Sequence, residues 1–324
     1  MDEEPHRLRI GVSSCLLGEE VRYNGGHKRD PFLTDMLGHY VEWVPVCPEV
    51  EIGLGTPRPA MRLVRIGGGI GDVRMVTPET GADHTEAMRS YSDRRVEELA
   101  AERLAGYILK KDSPSCGMER VKLYPAEGGA PNKEARGLFA EALLRRHPDL
   151  PVEEEGRLHD PLLRENFVTR IFVRARWMRD QENGWTRALL MRFHERHKFL
   201  FMARNQSGMR RLGRLLGGSA KTDRADDLAA AYLAGMTEVL RRHPTRRGHT
   251  NVLYHLAGFV TDRIDEGDRR ELIESIERYR TGLLPLIVPV TLIRHHVRRL
   301  DVEYLRDQVY LEPHPQELML LNHV

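Results

Sequence analysis

Apolar and polar positions fall into two regimes along this chain. Up to about residue 160, short apolar runs alternate with longer amphipathic stretches. The runs at 8–14, 42–46 and 106–109 read as strands, and those at 61–66 and 73–76 read as a strand pair around a glycine turn at 67–71. Between them the spacing predicts helices over 30–40, with Phe32, Leu33, Met36 and Leu37 on one face, over 83–104, and over 133–146, stopped by Pro148. Strands alternating with helices predict parallel βαβ units in a doubly wound, Rossmann-like sheet. Beyond Pro161 the strand pattern fades. Helical spacing runs over 162–179, 185–203, 224–242, 252–265, 269–282 and 289–300, with Gly184, Pro244 and Pro285 as breakers. The expected fold class is therefore an α/β domain over 1–160 followed by an all-α helical domain over 161–324.

The chain contains three cysteines, and each follows one of the expected strands of the first domain. Cys15 follows the first run, and Cys47 follows Val46 directly. Cys116 sits in Lys110-Lys111-Asp112-Ser113-Pro114-Ser115-Cys116-Gly117, a stretch of turn-forming residues after the strand at 106–109. In doubly wound sheets ligands bind beyond the carboxyl ends of the strands, so three cysteines far apart in sequence can converge on one crevice. A single free cysteine is most simply a buried, inert thiol. Three on such loops invite other readings. A structural zinc site wants four ligands and a close Cys-x-x-Cys pair, which the chain lacks, and a disulfide would leave one thiol over. An iron–sulfur cluster tolerates dispersed cysteines. With three thiolates its fourth iron stays open, the condition for Lewis-acid chemistry.

Other residues gain meaning only beside such a centre. Glu49, two residues after Cys47, is a solvated carboxylate by default; next to a metal it can activate a water. Ser113 and Ser115 cap turns by default and can otherwise donate to a substrate heteroatom. Ser13 and Ser14 carry the same ambiguity, and Arg58 suits an anionic or carbonyl group. The glycine run at 67–71 lacks the Gly-Lys-Ser/Thr ending of a phosphate loop and reads as a β-turn. His194 and His197 do not have the spacing of a metalloprotease helix, and His295-His296 are surface or capping residues by default. The clusters Arg210, Arg211, Arg214 with Lys221, and Arg241, Arg242, Arg246, Arg247, read as solvated helix faces, since no aromatic residues interleave them.

Composition adds exclusions. Of 324 residues, 50 are Lys or Arg and 48 are Asp or Glu, for a net charge of +2, so the global balance makes no case for nucleic acid or membrane. The start, Met1 to Arg7, is too acidic and polar for a signal peptide, and no apolar run reaches the ~20 residues of a membrane span. Few cysteines, in odd number, argue against a secreted disulfide scaffold. A cytoplasmic protein with no membrane partner is expected.

The motifs Ser14-Cys15-Leu16-Leu17-Gly18, Val21-Arg22-Tyr23-Asn24-Gly25, Cys47-Pro48-Glu49-Val50 and Ser113-Pro114-Ser115-Cys116-Gly117, in this order, resemble the thiouracil desulfidase family over roughly residues 7–160. The stretch from His295-His296-Val297-Arg298-Arg299 to Tyr310-Leu311-Glu312-Pro313-His314-Pro315 is similar to the ending of the YbgA-type domain of unknown function. The chain thus resembles a two-domain fusion. The resemblance implies a [4Fe-4S] cluster held by Cys15, Cys47 and Cys116, with one open iron. It implies removal of sulfur from thiouracil, a small thiolated nucleobase, giving uracil and sulfide without net redox change. The family's catalytic acid residue falls on Glu49 and its serine on Ser113, with Ser14, Arg58 and Ser115 as candidate substrate contacts. After Val50 the chain reads Glu51-Ile52-Gly53-Leu54-Gly55-Thr56-Pro57-Arg58-Pro59-Ala60-Met61, where simpler members are more Gly-rich and carry an acidic residue after the prolines; this bears on substrate choice. Two other classes stay open: a sulfur transferase, for which no nucleotide-activating loop is present, and an RNA-associated iron–sulfur protein acting on thiolated tRNA.

Overall fold

The computed structural model describes residues 8–67, 72–182, 184–218 and 224–324. The chain divides into two compact units, Met1–His159 and Asp160–Val324. The first contains strands β1 (Leu8–Ser13), β2 (Val41–Val46), β3 (Arg62–Arg65), β4 (Val73–Val76), β5 (Gly106–Leu109), β6 (Val121–Pro125), β7 (Asn132–Ala135) and β8 (Val152–Glu154). Its helices are α1 (Pro48–Glu51), α2 (Thr85–Ala101) and α3 (Leu138–Arg146).

The strands form two sheets. One is parallel, in the order β2-β1-β5-β8, and the other is mixed, in the order β4-β3-β6-β7. In the parallel sheet β1 is central, paired Leu8↔Val41 through Ser13↔Val46 with β2 and Ile10↔Gly106 through Val12↔Ile108 with β5. All four residues of β5 are buried, as befits an inner strand of a sheet covered on both faces. Pro45 is tolerated because β2 lies at the edge, where a missing N–H costs no ladder bond. Gly11 faces Tyr107 across the ladder, and a Cβ there would lie 2.2 Å from the tyrosine ring. The absent side chain is what lets that fully buried ring lie over β1.

The structure departs from the sequence expectations at several places. A single doubly wound sheet does not account for the first unit. The pair expected at 61–66 and 73–76 forms, antiparallel, but belongs to the second sheet with β6 and β7, which the pattern did not reveal. The helix expected over 133–146 starts only at Leu138. The residues before it are β7, where Ala135 pairs with Val121, and Gly137 in extended conformation begins the helix. Residues 30–40 do not make a regular α-helix. They wind as a π-turn, Phe32–Met36, and a 3-10 turn, Leu37–His39. Gly68–Gly71, in the expected glycine turn, as well as Met1–Arg7 and Lys221 lie outside the described residues.

The second unit contains no strand among the described residues. It consists of α4 (Pro161–Gln181), α5 (Arg187–Gly218), α6 (Ala225–Arg241), α7 (Arg246–Ala257), α8 (Glu266–Arg280), α9 (Ile287–Arg299) and α10 (Glu303–Arg306), with short 3-10 turns to the end. Asp160 starts α4 as an N-cap: its carboxylate accepts the Leu162 and Leu163 N–H at 2.9 and 3.0 Å, and Pro161 takes the first helical position. The core holds Trp177 stacked on Tyr232, with Phe193 edge-on to both. The helix expected over 185–203 continues to Gly218, broken at Asn205, where φ is −159° and ψ 92°. The helix expected over 252–265 instead starts at Arg246, capped by Thr245, and stops at Ala257. No helix among the described residues is long and apolar enough to cross a membrane.

Candidate active site

The sheet topology brings the candidate residues together. β2, β1 and β5 are neighbours and run parallel, so the segments that leave their carboxyl ends lie side by side. Cys15 follows β1 in a 3-10 turn, Ser14–Leu17, Cys47 directly follows β2, and Cys116 lies in the loop after β5. All three line one cavity of about 440 Å³, and all three are free thiols. Ser13, Ser14, Glu49, Arg58, Ser113 and Ser115 line the same cavity, so it gathers every side chain singled out above for the cysteine-centred chemistry.

Cys47 begins the short helix α1, with Pro48 at its first position, which carries Glu49 over the cavity. Glu49 is held from two sides. Its Oε2 accepts from Arg58 Nε at 3.0 Å and Nη2 at 2.5 Å, and its Oε1 accepts from Ser115 Oγ at 2.8 Å. Arg58 is itself pinned. Nη2 also donates to the Val21 carbonyl, and Nη1 donates to the Gly55 carbonyl and Thr56 Oγ1. Its five N–H groups are thereby engaged, and it holds the carboxylate rather than offering a free edge to the cavity. Both side chains are well buried, 6% exposed for Arg58 and 14% for Glu49.

The serines form a directed chain. Ser115 Oγ lies 2.9 Å from Ser113 Oγ, and Ser113 Oγ accepts the N–H of Ser115 at 3.3 Å and of Cys116 at 3.1 Å. A hydroxyl has one proton. With the Ser115 proton given to the Glu49 carboxylate, the Ser113 proton must point at Ser115. Backbone N–H, Ser113, Ser115 and Glu49 are thus polarised in sequence toward the carboxylate. The loop is shaped for this by α3, whose start presses against it: the Phe139 and Ala140 N–H groups both donate to the Ser115 carbonyl, at 3.0 and 3.1 Å. A Cβ on Gly137 would lie 2.4 Å from that same oxygen, so only glycine lets the helix approach so closely.

Burial sets the state of the thiols. Desolvation pushes Cys15 up to about 11, against the nearby Lys110 cation, and pushes Cys47 and Cys116 up as well. On their own these are protonated, inert groups; a strongly cationic centre is what would hold them as thiolates. Among the described residues no group of three or more His, Cys, Asp or Glu is arranged to hold a single metal ion. Three thiols around a cavity this size, with no histidine among its lining residues, fit a polynuclear iron–sulfur centre better than one zinc ion.

Comparison with known proteins locates this site in a family. Residues 10–155 match the model of 2-thiouracil desulfurase, and residues 198–315 match DUF1722, a protein family of unknown function. The chain is 31% identical over 156 residues to the uncharacterized protein YbgA of Escherichia coli (strain K12), spanning 48% of this chain and 92% of that protein. The chain belongs to the YbgA family and carries a 2-thiouracil desulfurase domain. It is also 29% identical over 158 residues to the uncharacterized protein YbbK of Bacillus subtilis (strain 168), spanning 47% of this chain and 99% of that protein. Among solved structures, the [4Fe-4S]-dependent thiouracil desulfidase TudS is 34% identical, with 48% of this chain and 95% of that one covered and a TM-score of 0.37.

In the desulfurase domain, sequence reasoning missed the groups that hold the site from behind. Glu51 accepts the Cys47 N–H at 3.0 Å and the Tyr91 hydroxyl at 2.5 Å, tying α1 to α2. Lys110, a cavity-lining residue, donates its N–H to Ser13 Oγ at 3.0 Å and its ammonium to Glu155 at 2.5 Å. The sequence signal was slight: the run Glu153-Glu154-Glu155 reads as an ordinary solvated acidic loop, and only the apolar Leu150-Pro151-Val152 just before it hints at a strand end.

Proposed function

We propose that this protein removes sulfur from a thiolated nucleobase of the thiouracil type, releasing uracil and sulfide by hydrolysis, with residues 1–160 as the desulfidase domain and 161–324 as the YbgA-type domain. The observation that carries this reading is the cavity in which three free thiols, a clamped carboxylate and a polarised pair of serines face one another. Cys15, Cys47 and Cys116 would hold a [4Fe-4S] cluster. Such a group, held by three thiolates, supplies an open Lewis-acidic iron for the thiocarbonyl sulfur.

The protein's own side chains then do the proton work. Glu49, fixed at Oε2 by Arg58, takes a proton from a water that attacks the thiocarbonyl carbon. Once protonated, Glu49 can only donate toward Ser115, and the hydrogen-bond chain reverses. Ser115 then donates to Ser113, and Ser113 gains a proton to deliver to the ring nitrogen or the leaving sulfur. One water is consumed, its oxygen ends on carbon, its two protons leave with sulfide, and no electrons are exchanged. Ser14, buried on the cavity wall, is a candidate substrate contact.

The test is anaerobic turnover of 2- or 4-thiouracil by protein with full iron content, with uracil and sulfide expected in equal amounts. Cys116→Ala should lose the iron. Glu49→Gln should keep it and lose activity by ~100–10,000-fold, the worth of a positioned general base. Unchanged turnover by Glu49→Gln at matched iron would remove the base role. No turnover by iron-replete wild type would move the substrate elsewhere.

One observation favours a second reading, a thiolated base within RNA. Residues 160–324 carry 28 Lys and Arg against 21 Asp and Glu, whereas residues 1–159 carry 22 against 27. The near-neutral whole hides a basic helical unit, and phosphate contacts release counterions. Binding of a thiolated tRNA that weakens steeply between ~50 and ~200 mM salt would support it; salt-independent binding, or none, would leave the small molecule.

A further inference from the structure

We infer that Glu154 and Glu155 are positioning residues that clamp the loop bearing Cys116 at its two ends and so set the third thiol of the cavity. This rests on the proposed role of that cysteine, but the clamp itself is a property of the unloaded chain.

The geometry is as follows. Lys110 to Met118 leaves β5, crosses the cavity mouth and turns back toward β6. Its first residues are held by Glu155, whose Oε1 accepts the Lys110 ammonium at 2.5 Å and whose Oε2 accepts the Lys111 N–H at 2.7 Å. Its last residues are held by Glu154, whose Oε1 accepts the Met118 N–H at 2.8 Å and which also accepts from the Glu119 backbone. Glu155 and Glu154 are adjacent in sequence, at the end of β8, and β8 pairs in parallel with β5, the strand from which the loop departs. The sheet therefore fixes the distance between the two grips. Glu154 ends the strand and takes the end of the loop; Glu155, just beyond it and tied to β5 by its N–H to the Leu109 carbonyl at 3.2 Å, takes the start.

Three further observations show why the loop needs outside support. Asp112 sits at φ +59°, the left-handed region, which is costly without a glycine. Cys116 is 5% exposed, and the Ser115 backbone carbonyl is already shared by two donors of α3. Glu154 and Glu155 are themselves only 6% and 7% exposed. A carboxylate buried to that degree is tolerated only when its oxygens are satisfied. Here the partners of both are backbone N–H groups of the loop and the Lys110 ammonium. The interior acids thus belong to the loop, and the loop geometry belongs to them.

The test uses the full chain without metal, in reductant, and follows alkylation of each cysteine by mass spectrometry under conditions where the fold is intact by circular dichroism. Wild-type Cys116 should react slowly. Glu155→Ala and Glu154→Ala should each raise its rate about tenfold or more, the worth of one hydrogen bond to a charged group, while Cys47, on a different loop, keeps its rate. Glu154→Gln, which can still accept the Met118 N–H, should restore near wild-type protection. Glu155→Gln, which can accept the Lys111 N–H but cannot pair with the Lys110 ammonium, should fall between. Iron content after reconstitution should follow the same order. Protection of Cys116 unchanged in both alanine variants would show that α3 alone holds the loop and would overturn the clamp. Equal acceleration at all three cysteines would mean general loosening and overturn it as well. If the clamp behaves as stated but iron-replete protein turns over no thiolated base, the clamp survives and the proposed activity does not.

Discussion

A residue's worth in this molecule depends on how closely something else approaches it. Gly11 carries no chemistry, yet a methyl group there would sit inside the Tyr107 ring, between two neighbouring strands that cannot spread without losing their ladder. Gly11→Ala should therefore destabilise the first unit by about 1–3 kcal/mol, the usual cost of overpacking a well-filled core, read as a lower urea midpoint at unchanged slope. Tyr107→Leu should recover part of that loss in the double variant. The same closeness explains what was legible at this scale. Cys15, Cys47, Cys116, Glu49 and the serines could be read from the sequence because their residue types advertise chemistry and their loops follow strands. Gly137, Glu154, Glu155 and the full engagement of Arg58 could not, because their importance lies in a distance to a residue remote in sequence.

At the level of elements, β1 to β5 and the helical character of the second unit follow from the apolar pattern, whereas β6, β7 and β8 escaped it. β7 reads Asn-Lys-Glu-Ala and exposes three of its four residues, so neither alternation nor apolar content marks it. The break in α5 escaped for a different reason. Asn205 is a weak helix former, but the helical pattern runs on past it; here its Oδ1 accepts the Gly208 N–H at 3.0 Å and restarts the helix as an internal cap. Beside it, Arg204 is fully enclosed and faces Glu165 of α4 at 3.6 Å. Burial alone would push the Glu165 carboxyl up; the arginine, with His314 and the Thr169 hydroxyl, holds it below the usual range. Glu165→Gln should cost about 3–5 kcal/mol, because it leaves a buried cation uncompensated. The double variant Glu165→Gln, Arg204→Met should be more stable than Glu165→Gln alone. An additive double variant, by thermal or urea denaturation, would show that the two charges do not interact.

For the molecule as a whole, the histidines of the second unit set its tolerance of acid. Burial pulls His197 down to about 3 and His194 and His249 to about 4. All three stay neutral in the folded unit while the unfolded chain takes up protons below its ordinary value near 6.5. The unfolded state thus binds more protons between about pH 6.5 and 4, and stability must fall as pH falls through that window. The urea midpoint of the helical transition should be highest near neutrality and drop steadily toward pH 4. His197→Gln should lower the pH slope by about one proton per molecule; an unchanged slope would mean that His197 is not held neutral.

The strand order β2-β1-β5-β8 also governs how the protein comes into being. As the chain leaves the ribosome, β1 finds β2 early, and the first two thiols meet long before the third exists. β5 must then return to β1 across about a hundred residues, a closure slow in entropy and in contact order. During that interval the nascent chain exposes a pair of cysteines with nothing to share between them, the arrangement most prone to an oxidative mispairing. Oxygen during synthesis is then a hazard, and a chain that closed wrongly at Cys15 and Cys47 would reach full length with Cys116 facing a disulfide instead of two thiols.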